Sequence, residues 1–192
     1  MKITIFWVSI LFLSASLSMA ASSDSSGGNW FVQANGSAGL SAQKLYDSAP
    51  VGFGGEGSVG YRFGDSFAMA LESGYETFIV KDLPSGTSAS FNYVPALLKA
   101  IWGLGSGKTN PYLFLGAGAA FNSKTGSIGI LSATSNETDF LAEGGLGIQF
   151  PVSDQVSLFI QAKADFDFTS KNYAPDSPTV VFPIDLGIKF GD

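Results

Sequence analysis

Residues 156–168 read VSLFIQAKADFDF, and this stretch decides the fold class. Every even-numbered residue from Val156 to Phe168 is apolar, whereas most of the odd-numbered residues are polar or charged. Successive side chains of a β-strand point to opposite faces, so this period of two predicts a strand with one apolar and one charged face. The strand is longer than the roughly five or six residues usual in soluble sheets, and it matches a tilted crossing of a lipid bilayer.

The same alternation recurs along the chain between clusters of Gly, Pro, Ser, Asp and Asn, without helical periodicity. It predicts eight strands, at about residues 29–41, 53–63, 67–79, 90–102, 111–122, 137–150, 155–168 and 180–190. The connections at 42–52, 80–89, 123–136 and 169–179 are long, that at 103–110 is intermediate, and those at 64–66 and 151–154 are tight.

Alternating short and long connections are typical of outer-membrane barrels, which have short periplasmic turns and longer extracellular loops. The pattern therefore predicts an all-β fold: an eight-stranded antiparallel transmembrane β-barrel in up-and-down meander order. We expect the long connections to lie outside the cell.

Alternation alone does not decide whether the apolar faces meet lipid or line a soluble lipocalin-like barrel. Three features favour lipid: glycines on the charged faces, which suit a narrow filled lumen; an aromatic residue near the end of the last strand; and aromatic residues near the strand ends, as in interfacial girdles. We assign Trp30, Phe31, Tyr61, Phe63, Phe67, Trp102, Tyr112, Phe150 and Phe190 to the periplasmic girdle, and Phe53, Tyr75, Phe91, Tyr93, Phe121, Phe140, Phe166, Phe168 and Phe182 to the outer one.

The first 20 residues have the features of a secretory signal peptide. A basic start and an apolar run over residues 3–17 precede Ser18 and Ala20, which place small residues at positions −3 and −1 of the cleavage site. The run is shorter than the roughly 20 apolar residues of a membrane anchor. We therefore expect export and cleavage after Ala20, a flexible polar leader over residues 21–29 and one barrel domain over residues 30–190.

The composition argues against several classes of function. The 192 residues include no Cys and no His, so the chain has no thiolate and lacks the commonest general base and metal ligand. The formal net charge is −6 and no cluster of Lys and Arg occurs, which argues against nucleic acid as a partner. Residues 103–110, GLGSGKTN, are similar to a P-loop, but Trp102 stands where that motif needs its first Gly. We expect no enzyme activity, no cofactor and no metal.

Three segments resemble the OmpA/OmpX-like outer-membrane β-barrel domain family: GYRFGDSFAMALESGYETF, PYLFLGAGAAF and GGLGIQFPVSDQVSLFIQAKADF. The resemblance covers about residues 30–190 and implies this fold and an outer-membrane location. The final stretch FPIDLGIKF, residues 182–190, resembles the β-signal that the barrel-assembly machinery recognises. The resemblance implies that Gly187, Ile188 and Phe190 form the assembly signal and that this machinery is a partner during biogenesis. Enzymatic barrels of similar size depend as families on a catalytic His, which this chain lacks.

Charged residues on the predicted inward faces are the candidate site residues. They are Glu56, Arg62, Glu72, Glu76, Glu143, Lys163, Asp165, Asp167, Asp185 and Lys189. Because charges in a confined space must be paired, and because these residues are distributed over several strands, we interpret them as a polar network that plugs the lumen rather than as an active site or an ion path.

If side chains fill the lumen, the extracellular loops are the parts of the barrel through which we expect it to function. We expect a structural or surface-interaction protein that contacts membrane lipid and an unidentified extracellular partner. A small pore, or a barrel that binds a hydrophobic compound, is the alternative.

Overall fold

The computed structural model describes residues 29–42, 51–79, 87–105, 107, 109–128, 131–168 and 179–191. The predicted signal peptide, its cleavage site and nearly all of the predicted leader lie outside these residues. Eight strands are present: β1 (Asn29–Ser41), β2 (Val51–Arg62), β3 (Phe67–Ile79), β4 (Thr87–Gly103), β5 (Asn110–Ile128), β6 (Leu131–Ser153), β7 (Val156–Phe168) and β8 (Thr179–Gly191). No helix in the described part of the chain is long and apolar enough to cross a membrane.

The strands form one closed barrel in the order β1 to β8, and every neighbouring pair is antiparallel. Pairing of β1 with β8, in which Asn35 lies opposite Gly187, closes the barrel. The predicted all-β, eight-stranded antiparallel meander is confirmed. We call the end with the tight β2–β3 and β6–β7 turns the periplasmic end and the opposite end the outer end.

Alternating burial divides each strand between two environments. In β7, Ser157, Phe159, Gln161, Lys163, Asp165 and Asp167 point into the barrel and are buried. The outward residues are apolar and strongly exposed, with Leu71 67%, Leu146 66% and Leu186 64% accessible. Since a water-soluble surface rarely exposes a continuous apolar band, this outer face suits the hydrocarbon interior of a bilayer.

Inward aromatic rings fill much of the lumen, and five of them lie over a glycine of the neighbouring strand. Added Cβ atoms on five inward glycines would collide with the ring of the residue opposite. The pairs are Phe31 with Gly60, Phe78 with Gly52, Tyr112 with Gly147, Phe114 with Gly145, and Phe159 with Gly187. The glycines therefore provide room for aromatic rings as well as for long charged side chains.

These inward rings correct part of the predicted girdles. Phe31, Tyr93 and Tyr112 are buried inside the barrel, with 2%, 5% and 8% of their surfaces exposed, and Phe91 packs against the buried Phe78 and Tyr93. These residues lie at the alternate positions of their strands that point into the barrel. A position near a strand end was therefore not enough to identify a girdle residue. Trp30, Tyr61, Phe63, Phe67 and Trp102 instead form a row of contacting rings at the periplasmic end, at centroid distances of 4.9–5.8 Å.

The prediction of a long loop at residues 123–136 is also wrong. β5 and β6 continue through it as paired strands as far as Ile128 and Leu131. Thr87 to Ala89 of β4 pair with the same part of β5, beyond the point where β3 ends opposite Ser90. We call residues 87–89, 123–128 and 131–138 the extension. It lacks apolar alternation and so was interpreted as a loop, but backbone pairing extends the sheet through it.

Candidate functional site

Lys163 lies at the centre of the polar lumen. Its Nζ atom is 2.5 Å from Glu56 Oε1 and 3.7 Å from Glu143 Oε2, and 3.9 Å from one carboxylate oxygen each of Asp165 and Asp185. The side chains of Lys163, Glu56 and Glu143 are at most 1% exposed. Taking such charges out of water is costly, so close pairing is required to keep them in the barrel.

A second lysine, Lys99 of β4, completes this ion-pair network. Its Nζ atom is 3.0 Å from both carboxylate oxygens of Glu72 and 2.8 Å from Glu143 Oε1, so Glu143 connects the two lysines. The ammonium also lies 4.1 Å from the centre of the Phe114 ring, a distance at which cation–π attraction operates. The network thereby joins β2, β3, β4, β6, β7 and β8 through side chains as well as backbone.

Hydrogen bonds extend the polar lumen to both sides of this network. Towards the periplasmic end, the Tyr112 hydroxyl donates to Gln161 Oε1 at 2.9 Å, and Gln161 Nε2 donates to Asp185 Oδ2 at 2.7 Å. Towards the outer end, Asn122 Nδ2 donates to Asp139 Oδ2 at 2.7 Å and to Asp167 Oδ2 at 2.8 Å. Polar contacts therefore span most of the length of the lumen.

The structure divides the predicted lumen residues into three groups. Glu56, Glu72, Glu143, Lys163, Asp165 and Asp185 belong to the ion-pair network. Glu76 and Asp167 are buried nearer the outer end, where they line a cavity of about 10 Å³ with Tyr93 and Asp165. Arg62 and Lys189 line a separate cavity of about 90 Å³ at the periplasmic end.

Sequence reasoning missed Lys99, together with Gln161, Tyr112, Asn122 and Asp139 as hydrogen-bonding members of the lumen. Lys99 carried a usable signal, because it is the one charged residue in the predicted strand 90–102. Tyr93, Leu97 and Ile101 lie on the same face of the strand as Lys99 and are largely apolar. Alternation of polar and apolar residues therefore did not identify the inward face of β4. A lysine among large apolar residues in a membrane strand has to face the lumen, because lipid would leave its charge unpaired.

Carboxylates outnumber cations in the described lumen. The buried acids are Glu56, Glu72, Glu76, Asp139, Glu143, Asp165, Asp167 and Asp185, whereas the buried bases are Lys99, Lys163 and Lys189. Within the described ranges, no three acidic side chains are spaced to hold a metal ion. Apart from Glu76, each of these carboxylates contacts a lysine or a side-chain amide, so the arrangement can hold the strands together and fill space.

The residues of the predicted assembly signal lie in the last strand. Gly187 faces inward beneath the Phe159 ring, while Ile188 and Phe190 lie opposite Ala34 and Val32 of β1. The strand continues one residue further, because Gly191 pairs with Phe31 and its N–H donates to the Gln155 carbonyl at 2.9 Å. Gly191 has a φ of 89°, a conformation that favours glycine.

The extension is the second candidate site. Residues 132–136 are exposed on both faces, and Thr125 and Thr134 hydroxyls contact each other across the strand pair at 3.2 Å. β7 pairs with β6 only as far as Phe140, so the described part of β6 beyond it has β5 as a neighbour on one side. Among the described residues, none pairs with its other edge.

Together, the closed barrel, the apolar outer face and the buried charged lumen define a class, the outer-membrane β-barrels. Residues 9–190 match the family model described as the outer membrane protein beta-barrel domain. The chain belongs to this family, and its outer-membrane location follows from the family. No curated protein sequence matches the chain.

Solved structures agree on the fold. Neisserial surface protein A (NspA) is 20% identical, with a TM-score of 0.62 over 86% of this chain and 99% of that one. Ail, the attachment invasion locus protein of Yersinia pestis, is 16% identical, with a TM-score of 0.55 over 85% and 97%. The outer membrane enzyme PagL is 13% identical, with a TM-score of 0.55 over 83% and 99%. Since both surface proteins and an enzyme share the fold, function has to be argued from this chain's own residues.

Proposed function

We propose that this chain is a surface-interaction protein whose extension contacts a partner outside the cell, while its lumen is closed. The observation that carries the proposal is the edge of β6 above Phe140, with which no described strand pairs except β5 on the other side. An unpaired strand edge is a template for another strand, and natural proteins usually cover or block such edges. Here the edge stands at the end of the barrel that we assign to the cell exterior.

The chemistry of the extension suits an extended peptide as the partner. Its β6 part reads SATSNET over residues 132–138, with short polar side chains and one carboxylate. Such residues keep the edge soluble without blocking the backbone, whereas Lys or Pro would discourage pairing. Main-chain hydrogen bonds to an added strand supply affinity in this mode, and the exposed hydroxyl and amide side chains supply contacts on both faces.

The contents of the lumen favour closure over transport. The two cavities characterised in the described lumen have volumes of about 90 and 10 Å³ and lie at opposite ends, with the network around Lys163 and Lys99 between them. A pocket for a drug-sized hydrophobic compound occupies roughly 300–1,000 Å³. We therefore place the small pore and the hydrophobic-compound barrel behind the surface-interaction function. In planar bilayers the purified protein should pass no steady current, and regular porin-sized steps would contradict a closed lumen.

We also propose that the chain is not an enzyme. The buried carboxylates face lysines and amides inside the barrel, and neither a His nor a Cys is present in the sequence to act as base or nucleophile beside them. PagL shows that the fold itself accommodates catalysis. The proposal therefore rests on the residues and not on the fold.

Shortening the extension tests the proposed function. A variant in which Asn-Gly replaces residues 124–135 would join the paired residues Ser123 and Asn136 through a two-residue hairpin turn. Cells displaying this variant at wild-type levels should lose adhesion to surfaces that the wild type binds, by about tenfold or more.

Two full-length variants distinguish the effect of strand addition at the β6 edge from the effect of shortening the extension. Thr134→Lys should also weaken adhesion, because an edge lysine discourages strand addition, whereas Thr134→Ser keeps the hydroxyl and should adhere like the wild type. Equal adhesion by the wild type and the shortened variant would show that the extension is not the contact surface.

A further inference from the structure

Three hydrogen-bonded polar side chains lie on the outward surface of the barrel. The hydroxyl groups of Tyr75 and Thr77 both donate to Asn92 Oδ1, at 2.9 and 3.0 Å. Thr77 and Asn92 are paired residues of β3 and β4, and Tyr75 precedes Thr77 by two positions on the same face of β3. Their side chains point outward, because the residues that alternate with them, Glu76 and Tyr93, are buried in the lumen. We call Tyr75, Thr77 and Asn92 the outer polar cluster.

The outer polar cluster lies where the apolar outer face ends. On β4 and β5 the outward residues change from apolar to polar towards the outer end. The apolar ones are Leu98, Ala96 and Val94 of β4 and Leu115, Ala117, Ala119 and Phe121 of β5. The polar ones that follow are Asn92 and Ser90 of β4 and Ser123 and Thr125 of β5. Because the outward surface of a membrane barrel is apolar only within the hydrocarbon layer, the cluster lies at the level of the outer-leaflet headgroups.

The two hydrogen bonds orient the Asn92 amide. Because both hydroxyls contact Oδ1, the Nδ2 atom with its two N–H donors lies on the opposite side of the amide group. The Tyr75 side chain is 43% exposed, so its ring offers an apolar surface within the same cluster. Since the cluster faces outward from a membrane barrel, the molecule beside it in the membrane is a lipid.

The side chains of the cluster favour a sugar over a phosphate. The cluster and its outward neighbours Ser90 and Ser123 carry hydroxyl and amide groups and include no Lys or Arg. Phosphate groups are bound most strongly by charged donors. Hydroxyl and amide groups both donate and accept hydrogen bonds, as sugar hydroxyls do, and the exposed Tyr75 ring suits the apolar face of a sugar ring.

We propose that the outer polar cluster binds the sugar headgroup of an outer-leaflet glycolipid. The Asn92 amide donates to sugar oxygens, while the Tyr75 ring covers one face of the sugar. The site uses residues of β3 and β4 that lie outside the extension, so it does not depend on the proposed surface-interaction function.

Unfolding from lipid vesicles tests the site. The mature protein is refolded into phosphatidylcholine vesicles that contain diglucosyl diacylglycerol, phosphatidic acid at the same mole fraction, or neither lipid. A lipid that binds the folded barrel raises the midpoint of unfolding in urea. The glycolipid should therefore raise the midpoint, whereas phosphatidic acid, which carries a phosphate and no sugar, should not. The rise at several glycolipid fractions gives an apparent dissociation constant.

Substitutions assign the binding to the cluster. Asn92→Ala should weaken the apparent affinity for the glycolipid by about threefold or more, because its hydrogen-bond donors are lost. Tyr75→Phe should also weaken it, since the amide loses one of the hydroxyls that orient it. Tyr61→Phe removes a hydroxyl from the row of rings at the periplasmic end and should bind like the wild type.

Each variant is compared with itself in vesicles with and without the glycolipid, so a change in its intrinsic stability cancels. The proposal is overturned if the glycolipid does not raise the wild-type midpoint, or if phosphatidic acid raises it equally. It is also overturned if Asn92→Ala or Tyr75→Phe binds as tightly as the wild type, or if Tyr61→Phe loses as much affinity as they do.

Discussion

The barrel wall and the extension are made of continuous strands, yet they follow different rules. In the wall each strand has two hydrogen-bonded neighbours, and its residues alternate between an apolar outer face and a buried lumen. In the extension the described part of β6 has β5 on one side, and residues 132–136 are exposed whichever way they point. Phe140, where β7 ends, marks the transition within β6.

This difference separates the wall, which we expect to confer stability, from the extension, which we propose for recognition. Buried ion pairs, inward rings and lipid-facing side chains make the wall sensitive to single substitutions. Residues 132–136 of the extension are exposed, so they are free to vary, and no described strand other than β5 pairs with β6 there. Matched substitutions in the two regions should therefore have very different effects.

Removal of the central lysine should have the largest effect. Lys163→Met leaves the carboxylates of Glu56, Glu143, Asp165 and Asp185 without their shared cation. Loss of one partner from a buried ion pair costs about 3–5 kcal/mol, so the free energy of unfolding in urea should fall by about this amount. Ser135→Met introduces the same side chain at an exposed position of the extension and should shift this free energy by less than about 0.5 kcal/mol. Similar losses of unfolding free energy in both variants would show that the wall and the extension are equally sensitive to substitution.

A charge on the lipid-facing side should have the next largest effect. Leu146 faces outward from β6 opposite Ala162, and Leu146→Arg places a cation against hydrocarbon. Arginine near the bilayer midplane destabilises outer-membrane barrels by about 2–4 kcal/mol. Ser135→Arg, on the same strand within the extension, should be nearly neutral when unfolding from lipid vesicles is measured. Equal tolerance of both arginines would show that this face does not contact lipid.

Phe190→Ser separates folding from assembly. Loss of this outward ring costs at most about 1.5–3 kcal/mol by area, so the variant should still refold from urea into detergent. If the machinery reads this residue, the variant should nevertheless be depleted from the outer membrane of cells. Phe121→Ser removes a comparable outward ring at the outer end and should assemble normally. Wild-type levels of Phe190→Ser in the outer membrane would argue against the assembly signal.

An inward glycine should be less tolerant than a glycine of the extension. A Cβ on Gly145 would lie 2.5 Å from both the Ala162 carbonyl oxygen and Phe114 Cζ, so backbone or ring must move. Overpacking of this kind costs about 1–3 kcal/mol, and Gly145→Ala should lower the urea midpoint accordingly. Gly126 has no neighbouring atom within 4 Å of such a Cβ, and Gly126→Ala should be neutral. Equal midpoints for the two variants would contradict the packing of rings over glycines.

The wall was largely predictable from sequence, because burial on one face imposes a period of two. The observed limits of β1 and β3 are those predicted, and the inward positions of Lys163, Asp165 and Asp185 follow from parity. Inward aromatic residues were harder to predict. Phe31 and Tyr112 fit inside because Gly60 and Gly147 lie opposite them on other strands, and that pairing is set by register between distant segments.

The extension and the complete network could not be derived in the same way. Ser132 to Thr138 bury no face, so backbone hydrogen bonds to β5 hold them in a strand without leaving an apolar signal. Lys99 shares its inward face with apolar residues, and only the closed barrel brings it to Glu143 of a distant strand. Alternation therefore reveals which way a residue points, but it does not reveal which residues meet across the lumen.

Equilibrium unfolding of the shortened variant, in which Asn-Gly replaces residues 124–135, tests the separation of wall and extension most directly. If stability resides in the wall, its free energy of unfolding in urea should lie within about 1 kcal/mol of the wild-type value, and its gel mobility should still shift on heating. A loss as large as that of Lys163→Met would mean that the extension contributes substantially to the stability of the barrel. It would contradict the claim that stability resides in the wall.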